Sequence, residues 1–481
     1  MYRQGLGDCF LITLPRNDGG SRPFYVMIDC GVVLGTPDPG PVMTRVMDDI
    51  VETTGGEIDI LIATHEHWDH LSGFVQARQS FDRLKVGQVW LAWTEDDRDD
   101  LTQKIKKEKG LALSALRMGL SQMQLAGDAG GADELGGILE FFGAARGPTT
   151  SDALKAVREK VSSSRLRYCR PTDAPVIPAG TSARFYVLGP PHDEKMLRKI
   201  NPSTRDKETY LALAGFQLFM DGAGSALVDG DSGRPFDRQY EIPFAYAQAA
   251  PEMKFFRDHY WRPDDAPAVH AQAMPEAESA REDHRRPDDA SADHAQATPE
   301  TESVRDDDQQ PDDTSAGKWR RIDTDWLGGA AELALQLDSL TNNTSLVIAI
   351  ELPDGDVLLF AADAQVGNWL SWQDLKWTMD GKAVTGPDLL KNAIFYKVGH
   401  HGSHNATLRA KGLEQMERLR VAMLPVDRAM AVKKHWNKMP QEELTEALDK
   451  QAKDGVLRVD RPKPAAMQNV VEEKLFFEVT F

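Results

Sequence analysis

Apolar positions fall into two textures along this chain. Short runs of strand length stand at Cys9–Leu14, Phe24–Ile28, Ile58–Ala63 and Val86–Ala92. They resume at Ala183–Leu188, Ser345–Ile350, Val357–Phe360, Ala393–Val398 and Val421–Leu424. Runs of this length and character predict β-strands. Residues 94–175 read differently: charged, rich in Leu and Ala, helically spaced, and broken by glycines as in GDAGGADELGG. Near the C-terminus, PQEELTEALDKQAKDG predicts a helix with Pro440 in its first turn and Gly455 as its stop. Two batches of strands separated by helices predict an α/β protein in which sheet packs on sheet with helices outside.

Charge changes that picture in one place. The 481 residues carry a net charge of -19, which on its own argues against a polyanionic partner. Residues 262–313, however, hold 16 Asp/Glu against 5 Lys/Arg. They form a 24-residue repeat, RPDDAPAVHAQAMPEAESAREDHR followed by RPDDASADHAQATPETESVRDDDQ and the fragment QPDD. Such a segment has too few large apolar side chains to offset its ordering entropy, which predicts a disordered insertion. The remainder is only mildly acidic. No apolar stretch approaches the roughly 20 residues that a membrane span needs. The N-terminus runs through Gly5 and Gly7 straight into a strand, with no leader pattern. Three scattered cysteines argue against a disulfide framework. The expectation is a cytoplasmic protein with no membrane partner.

The densest chemistry follows the run IDILIA, where residues 64–70 read THEHWDH. In an extended segment alternate side chains face one way, so His65, His67 and Asp69 converge, and His70 follows at the start of the next helix. Imidazoles and carboxylates without a thiolate are ligands that zinc, manganese or iron accept. Two later strand ends carry matching groups: Asp363 in VLLFAADAQ, and His400, His401, Gly402, Ser403, His404 and Asn405 in KVGHHGSHN. Two basic stretches, KIKKEKG at 104–110 and VKKHWNKMP at 432–440, bear on substrate. The first has the spacing of a solvated helix face. In the second, Lys434 and His435, with Lys433, Lys438 and Trp436, offer phosphate contacts and a stacking surface.

These pieces together resemble the metallo-β-lactamase superfamily, and in particular the branch containing the hydrolase domain of bacterial DNA-uptake (competence) proteins. GLGDCFLI, VMIDCG, THEHWDHLSG, FYVLGPP, NNTSLVIAI, VLLFAAD, KVGHHGS and the ending from VAMLPVD carry the likeness. The resemblance implies a single domain: a four-layer αβ/βα sandwich with a largely helical insertion at 94–175 and the acidic repeat as a second insertion. It implies two divalent metal ions, Zn2+ with Mn2+ or Fe as alternatives, held between the edges of two sheets. His65 and His67 would hold the first ion, Asp69 and His70 the second, and Asp363 would bridge them. His400 is the favoured further ligand and His401 the alternative, with Asp29 as a support. Where the superfamily commonly places another histidine, this chain reads TNNTS. Asn343 or Asn342 stands there, and His192 of GPPHDE is the substitute candidate.

Two cations acidify a bridging water, which serves as nucleophile without a Ser or Cys. On this reading Asp69, Asp363 and His404 are the catalytic residues, with Ser403, Asn405, Lys434 and His435 binding substrate. The expected activity is a phosphodiesterase or nuclease acting on nucleic acid or a nucleotide. Hydrolysis of a lactone, amide or thioester is the first alternative, and an interaction protein with a residual metal site the second.

Overall fold

The computed structural model describes residues 1–125, 129–143, 147–200, 251–254, 330–379, 381–434 and 436–481. The repeat at 262–313 lies outside the described residues. The chain divides into two compact units, one formed by Met1–Ser232 with Trp326–Phe481 and the other by Gly233–Asp325. In the second unit the described residues include one short turn of 3-10 helix, Pro251–Met253. The first carries both main sheets and is a mixed α/β structure.

Its N-terminal sheet has the order β1 (Cys9–Leu14), β2 (Phe24–Cys30), β3 (Glu57–Ala63), β4 (Lys85–Ala92), β5 (Leu166–Cys169). β1 is antiparallel to β2, and β2 to β5 run parallel. Helix α1 (Pro39–Thr54) makes the crossover from β2 to β3. Proline at its start suits a position whose N–H has no helical partner, and Gly55, with φ at 64°, closes it in the left-handed region. The inward residues Met43, Val46, Met47, Ile50 and Val51 follow the helical period. After β3 comes the single turn α2 (Trp68–Leu71). Between β4 and β5 the chain forms α3 (Asp100–Leu125), α4 (Ala129–Leu139) and α5 (Thr150–Arg158). The helically patterned stretch at 94–175 therefore holds three helices and also returns a strand to the sheet edge. β5 has only four residues, LRYC, too few to show a period.

The second sheet is built from β6 (Arg184–Gly189), β7 (Val347–Glu351), β8 (Val357–Phe360), β11 (Ala393–Lys397), β12 (Val421–Leu424) and β13 (Gly455–Arg458), in the order β13-β12-β11-β8-β7-β6. The intervening strands β9 (Lys376–Met379) and β10 (Lys382–Thr385) form a separate hairpin. Helix α6 (Ala330–Asn342) leads into β7, and α7 (Glu442–Gln451) joins β12 to β13. Gln441, not Pro440, caps α7, and Gly455 opens β13 rather than stopping the helix. The reason is register: the Asp454 and Gly455 N–H groups bond the Arg420 carbonyl and draw the chain alongside β12. A last hairpin pairs β14 (Val470–Glu472) with β15 (Phe477–Val479).

Facing sides of the two sheets share one core. Phe10, Ile12, Val26, Ile28, Ile60 and Ile62 meet Phe185, Val187, Ile348, Ile350, Leu358 and Phe395. The opposite side of the first sheet buries Met27, Leu61 and Val89 with Met43, Met47 and Ile50 of α1. That of the second buries Tyr186, Ala349, Leu359 and Tyr396 in a core with Leu337 of α6 and Leu448 of α7. Strands covered on both faces read as unbroken apolar runs, which is why they stand out in the sequence. Among the described residues no helix is long and apolar enough to cross a membrane.

Candidate metal centre

The loop after β3 is fastened to the end of β2. Thr64 donates its N–H and its hydroxyl to the two Asp29 carboxylate oxygens, at 2.8 and 2.6 Å. Asp8 donates its N–H to the Asp69 carbonyl at 3.0 Å. Gly31 makes this approach feasible, because a Cβ there would lie 2.3–2.5 Å from the Asp69–His70 peptide. The chain then turns into α2, which carries Asp69 and His70 inward. From the second sheet, Asp363 follows β8 and His401 follows β11. His400 and His401 both take positive φ, 37° and 51°. Such backbone is strained for residues other than glycine and is concentrated here beside the candidate centre.

Four side chains converge. Asp69 Oδ2 lies 2.8 Å from His401 Nε2 and 3.8 Å from His70 Nε2. Asp363 Oδ2 lies 3.2 Å from His70 Nε2 and 3.7 Å from His401 Nε2. One ligand atom from each falls within 4.8 Å of all the others, and all four residues are buried. Each imidazole is turned by an outer acceptor: His70 Nδ1 donates to Asp29 Oδ2, and His401 Nδ1 to the Pro425 carbonyl, both at 2.8 Å. A carbonyl or ionised carboxylate only accepts, so each Nδ1 carries the proton and each Nε2 faces the group. Outer partners of this type orient metal-binding histidines generally.

One residue here escaped the sequence reading. Lys397, buried at the end of β11, places Nζ 2.5 Å from Asp8 Oδ2, 3.2 Å from Asp363 Oδ1 and 2.8 Å from the Ala362 carbonyl. Burial works against its charge, but Asp8 and Asp363 outweigh burial and raise its pKa. Asp363 is driven well below its ordinary value: burial opposes this, and His70 and Lys397 prevail. Burial likewise opposes the rise of His70 and His401, where Asp363 and neighbouring carboxylates win. The signal was a lysine in the otherwise apolar strand AIFYK.

His65 and His67 sit beside this group. His65 Nε2 lies 3.2 Å from His67 Nδ1, and the His65 and His70 rings are 4.1 Å apart. Burial, with the neighbouring imidazoles, depresses His65; burial takes His67 down to about 3. Asp338 of α6, also missed, faces His67 with Oδ1 3.7 Å from Nε2. Burial, reinforced by Asp69 and Asp363, raises Asp338 well above the usual carboxylate range. Phe141 and Phe142, from the turn after α4, lie against His67 at 5.3 and 5.2 Å, and Trp436 stacks on Phe141 at 5.0 Å. Glu66 ties the loop to the insertion through Lys109 at 2.9 Å and Thr150 at 3.3 Å.

Other expectations need correction. His401, not His400, joins the four-residue group. His400 is engaged elsewhere, with Nδ1 2.8 Å from the Ser403 hydroxyl and Nε2 3.2 Å from the Asn342 amide. Asn343 is structural: its amide donates to the Met196 and Leu197 carbonyls, and its oxygen accepts from Gln365 and Asn368. His192 lies away from the group, 2.9 Å from Asp99 and against Trp93. His404 is exposed while the four ligands are buried. Ser403 donates to Asn405 Oδ1, and Asn405 donates to the Ile200 carbonyl, so Ser403 is tied within the loop and Asn405 to a distant segment. Lys434 pairs with Glu140 and Lys433 donates to the Gly35 carbonyl. His435 lies outside the described residues. Comparison with protein-family models, curated proteins and solved structures finds no match to this chain.

Proposed function

We propose that this chain is a metal-dependent hydrolase of metallo-β-lactamase type, a four-layer αβ/βα sandwich that cleaves phosphodiester bonds in nucleic acid or a nucleotide. The convergence of Asp69, His70, Asp363 and His401 carries this reading. The donor set fits a divalent cation: two carboxylates and two imidazoles suit Zn2+, Mn2+ or Fe. Asp69 Oδ1 and His70 Nε2 are buried without a hydrogen-bond partner, as atoms intended for an ion or its water would be. His65 and His67 are the ligands for a second cation. When bound by these residues, divalent cations would supply Lewis acidity, polarising the scissile group and lowering the pKa of an attacking water.

The chain's own residues set the geometry. Asp29 and the Pro425 carbonyl fix the tautomers of His70 and His401. Lys397 and the His400 N–H hold Asp363 Oδ1, leaving Oδ2 toward the centre. Asp69 Oδ1, buried with no hydrogen-bond donor in the structure, is placed to accept from a water in the centre. Burial keeps bulk water out and strengthens each of these interactions.

One observation favours hydrolysis of an uncharged substrate, a lactone, amide or thioester. Phe141, Phe142 and Trp436 form an apolar cover beside His67, and Lys433 and Lys434 are already engaged. The two readings separate in one assay. Metal-loaded protein should hydrolyse bis(p-nitrophenyl) phosphate faster than acyl-lactones, and Asp363→Asn should abolish turnover at an unchanged circular dichroism spectrum. Lactone turnover with no phosphodiesterase activity under Zn2+, Mn2+ or Fe2+ would hand the case to the second reading. Metal content unaffected by the pair His70→Ala and His401→Ala would remove the centre itself.

A further inference from the structure

The four-residue group explains Asp69, His70, Asp363 and His401, but not why His65 and His67 are aimed at each other. Their tautomers follow from what surrounds them. The Thr64 hydroxyl spends its proton on Asp29 Oδ2 at 2.6 Å, so toward His65 Nδ1, 3.1 Å away, it is left to accept. His65 therefore carries its proton on Nδ1 and presents a bare Nε2. His67 Nδ1 faces that atom at 3.2 Å. On the other side of the His67 ring, Nε2 is buried with no hydrogen-bond partner, and so is Asp338 Oδ1, 3.7 Å away. A proton on His67 Nε2, the arrangement that an ion bound at Nδ1 requires, gives Asp338 Oδ1 the donor it lacks. Without an ion, His67 Nδ1–H donates to His65 Nε2 at 3.2 Å; with the proton on Nε2 instead, both facing nitrogens are bare at that spacing and an ion between them takes the proton's place. Bonds of about 2.1 Å place two ligand atoms of a tetrahedral ion about 3.4 Å apart. The spacing is that of a shared ion.

We propose that Asp338 is the positioning carboxylate of this second cation site. By accepting from His67 Nε2 it turns His67 Nδ1 toward the ion that His65 shares, as Asp29 does for His70 on the first. Asn342, one helical turn further along α6, holds the other Asp338 oxygen with its amide at 3.2 Å, so the carboxylate is itself oriented. The inference rests on the metallohydrolase reading and adds to it the device that fixes the His65–His67 pair. α6 supplies this group from a helix rather than from a strand end.

Calorimetric Zn2+ titration of the full-length protein, stripped of metal and checked by elemental analysis, tests it directly. Wild type should take two equivalents. Asp338→Asn and Asp338→Leu should keep one site unchanged and weaken the other by about 10–100-fold, the usual cost of losing an outer partner. Asp338→Glu, whose longer side chain can reach Nε2, should restore it. Thermal midpoints of the metal-free variants separate this from misfolding, and the Asn and Glu variants preserve the side chain's bulk should the Leu variant not fold. Two sites of unchanged affinity in both Asp338→Asn and Asp338→Leu would overturn the role of Asp338 and leave the hydrolase reading standing. A single equivalent in wild type, lost in Asp69→Ala, would overturn the second site alone. No binding in wild type would remove both proposals.

Discussion

Asp59 shows how much a single surface-facing carboxylate does outside the candidate centre. Its oxygens accept from Arg16 at 2.5 Å, from both Arg22 Nη atoms at 2.6 and 2.9 Å, and from the Tyr25 N–H at 2.9 Å. Burial opposes ionisation, yet these donors hold its pKa below the ordinary 3.8. A carboxyl depressed in the folded state adds stability that is complete above the unfolded value and is lost as pH falls through the folded one. Asp59→Asn should therefore cost on the order of 2 kcal/mol at neutral pH. Urea denaturation at pH 7 and again below pH 3 checks this, since the gap between the two proteins should close in acid. At this scale the sequence was partly legible. His65, His67, Asp69 and His70 stood out because three of the chain's 12 histidines and two carboxylates crowd into residues 64–70, and Asp363 because it closes an apolar strand. Lys397, Asp8 and Asp338 were not, because a lone lysine or aspartate acquires meaning only from a partner distant in the chain.

Among the elements, strands covered on both faces were readable because burial leaves continuous apolar runs. β5, β9, β10, β13, β14 and β15 were not predicted: each has only three or four residues, and partners decide their pairing. The choice between His400 and His401 was likewise beyond local reading. Positive φ at both residues reorients the chain after β11, so counting along the strand could not say which ring turns inward. The sequence also gives no direct sign that the loop after β3 must lie on the end of β2. Gly31→Ala tests that contact. A Cβ overlapping the Asp69–His70 peptide cannot be absorbed by a rotamer change, so the variant should lose about 3 kcal/mol or more and bind metal poorly. Guanidinium denaturation with elemental analysis reads both, and normal stability would show that the loop has room to move.

For the compact unit as a whole, the candidate ligands come from both sheets: Asp69 and His70 after β3, Asp363 and His401 after β8 and β11. An ion bound there favours the folded state by mass action, about 2.7 kcal/mol at a free concentration one hundred times Kd. Thermal unfolding should accordingly shift upward on adding Zn2+, and ligands from the two sheets should lose that shift together. Asp363→Asn, from the second sheet, and His70→Ala, from the first, supply the comparison; a shift retained by both would place the ion elsewhere.

The aromatic stack of Phe141 on Trp436 has a consequence in time rather than in energy. If the proposed centre holds an ion and the cover beside His67 is its exit, a chelator cannot reach that ion until the cover parts, and metal release is governed by an opening step that the chelator does not influence. Release followed with increasing dipicolinate should rise and then level off at the opening frequency. Trp436→Ala, which removes one leaf of the stack, should raise that plateau while leaving equilibrium affinity nearly unchanged. A rate that climbs linearly with chelator, equal in both proteins, would mean that the ion is already within reach. If the plateau holds, the protein keeps its metal through brief scarcity because the exit is seldom open, however modest the affinity.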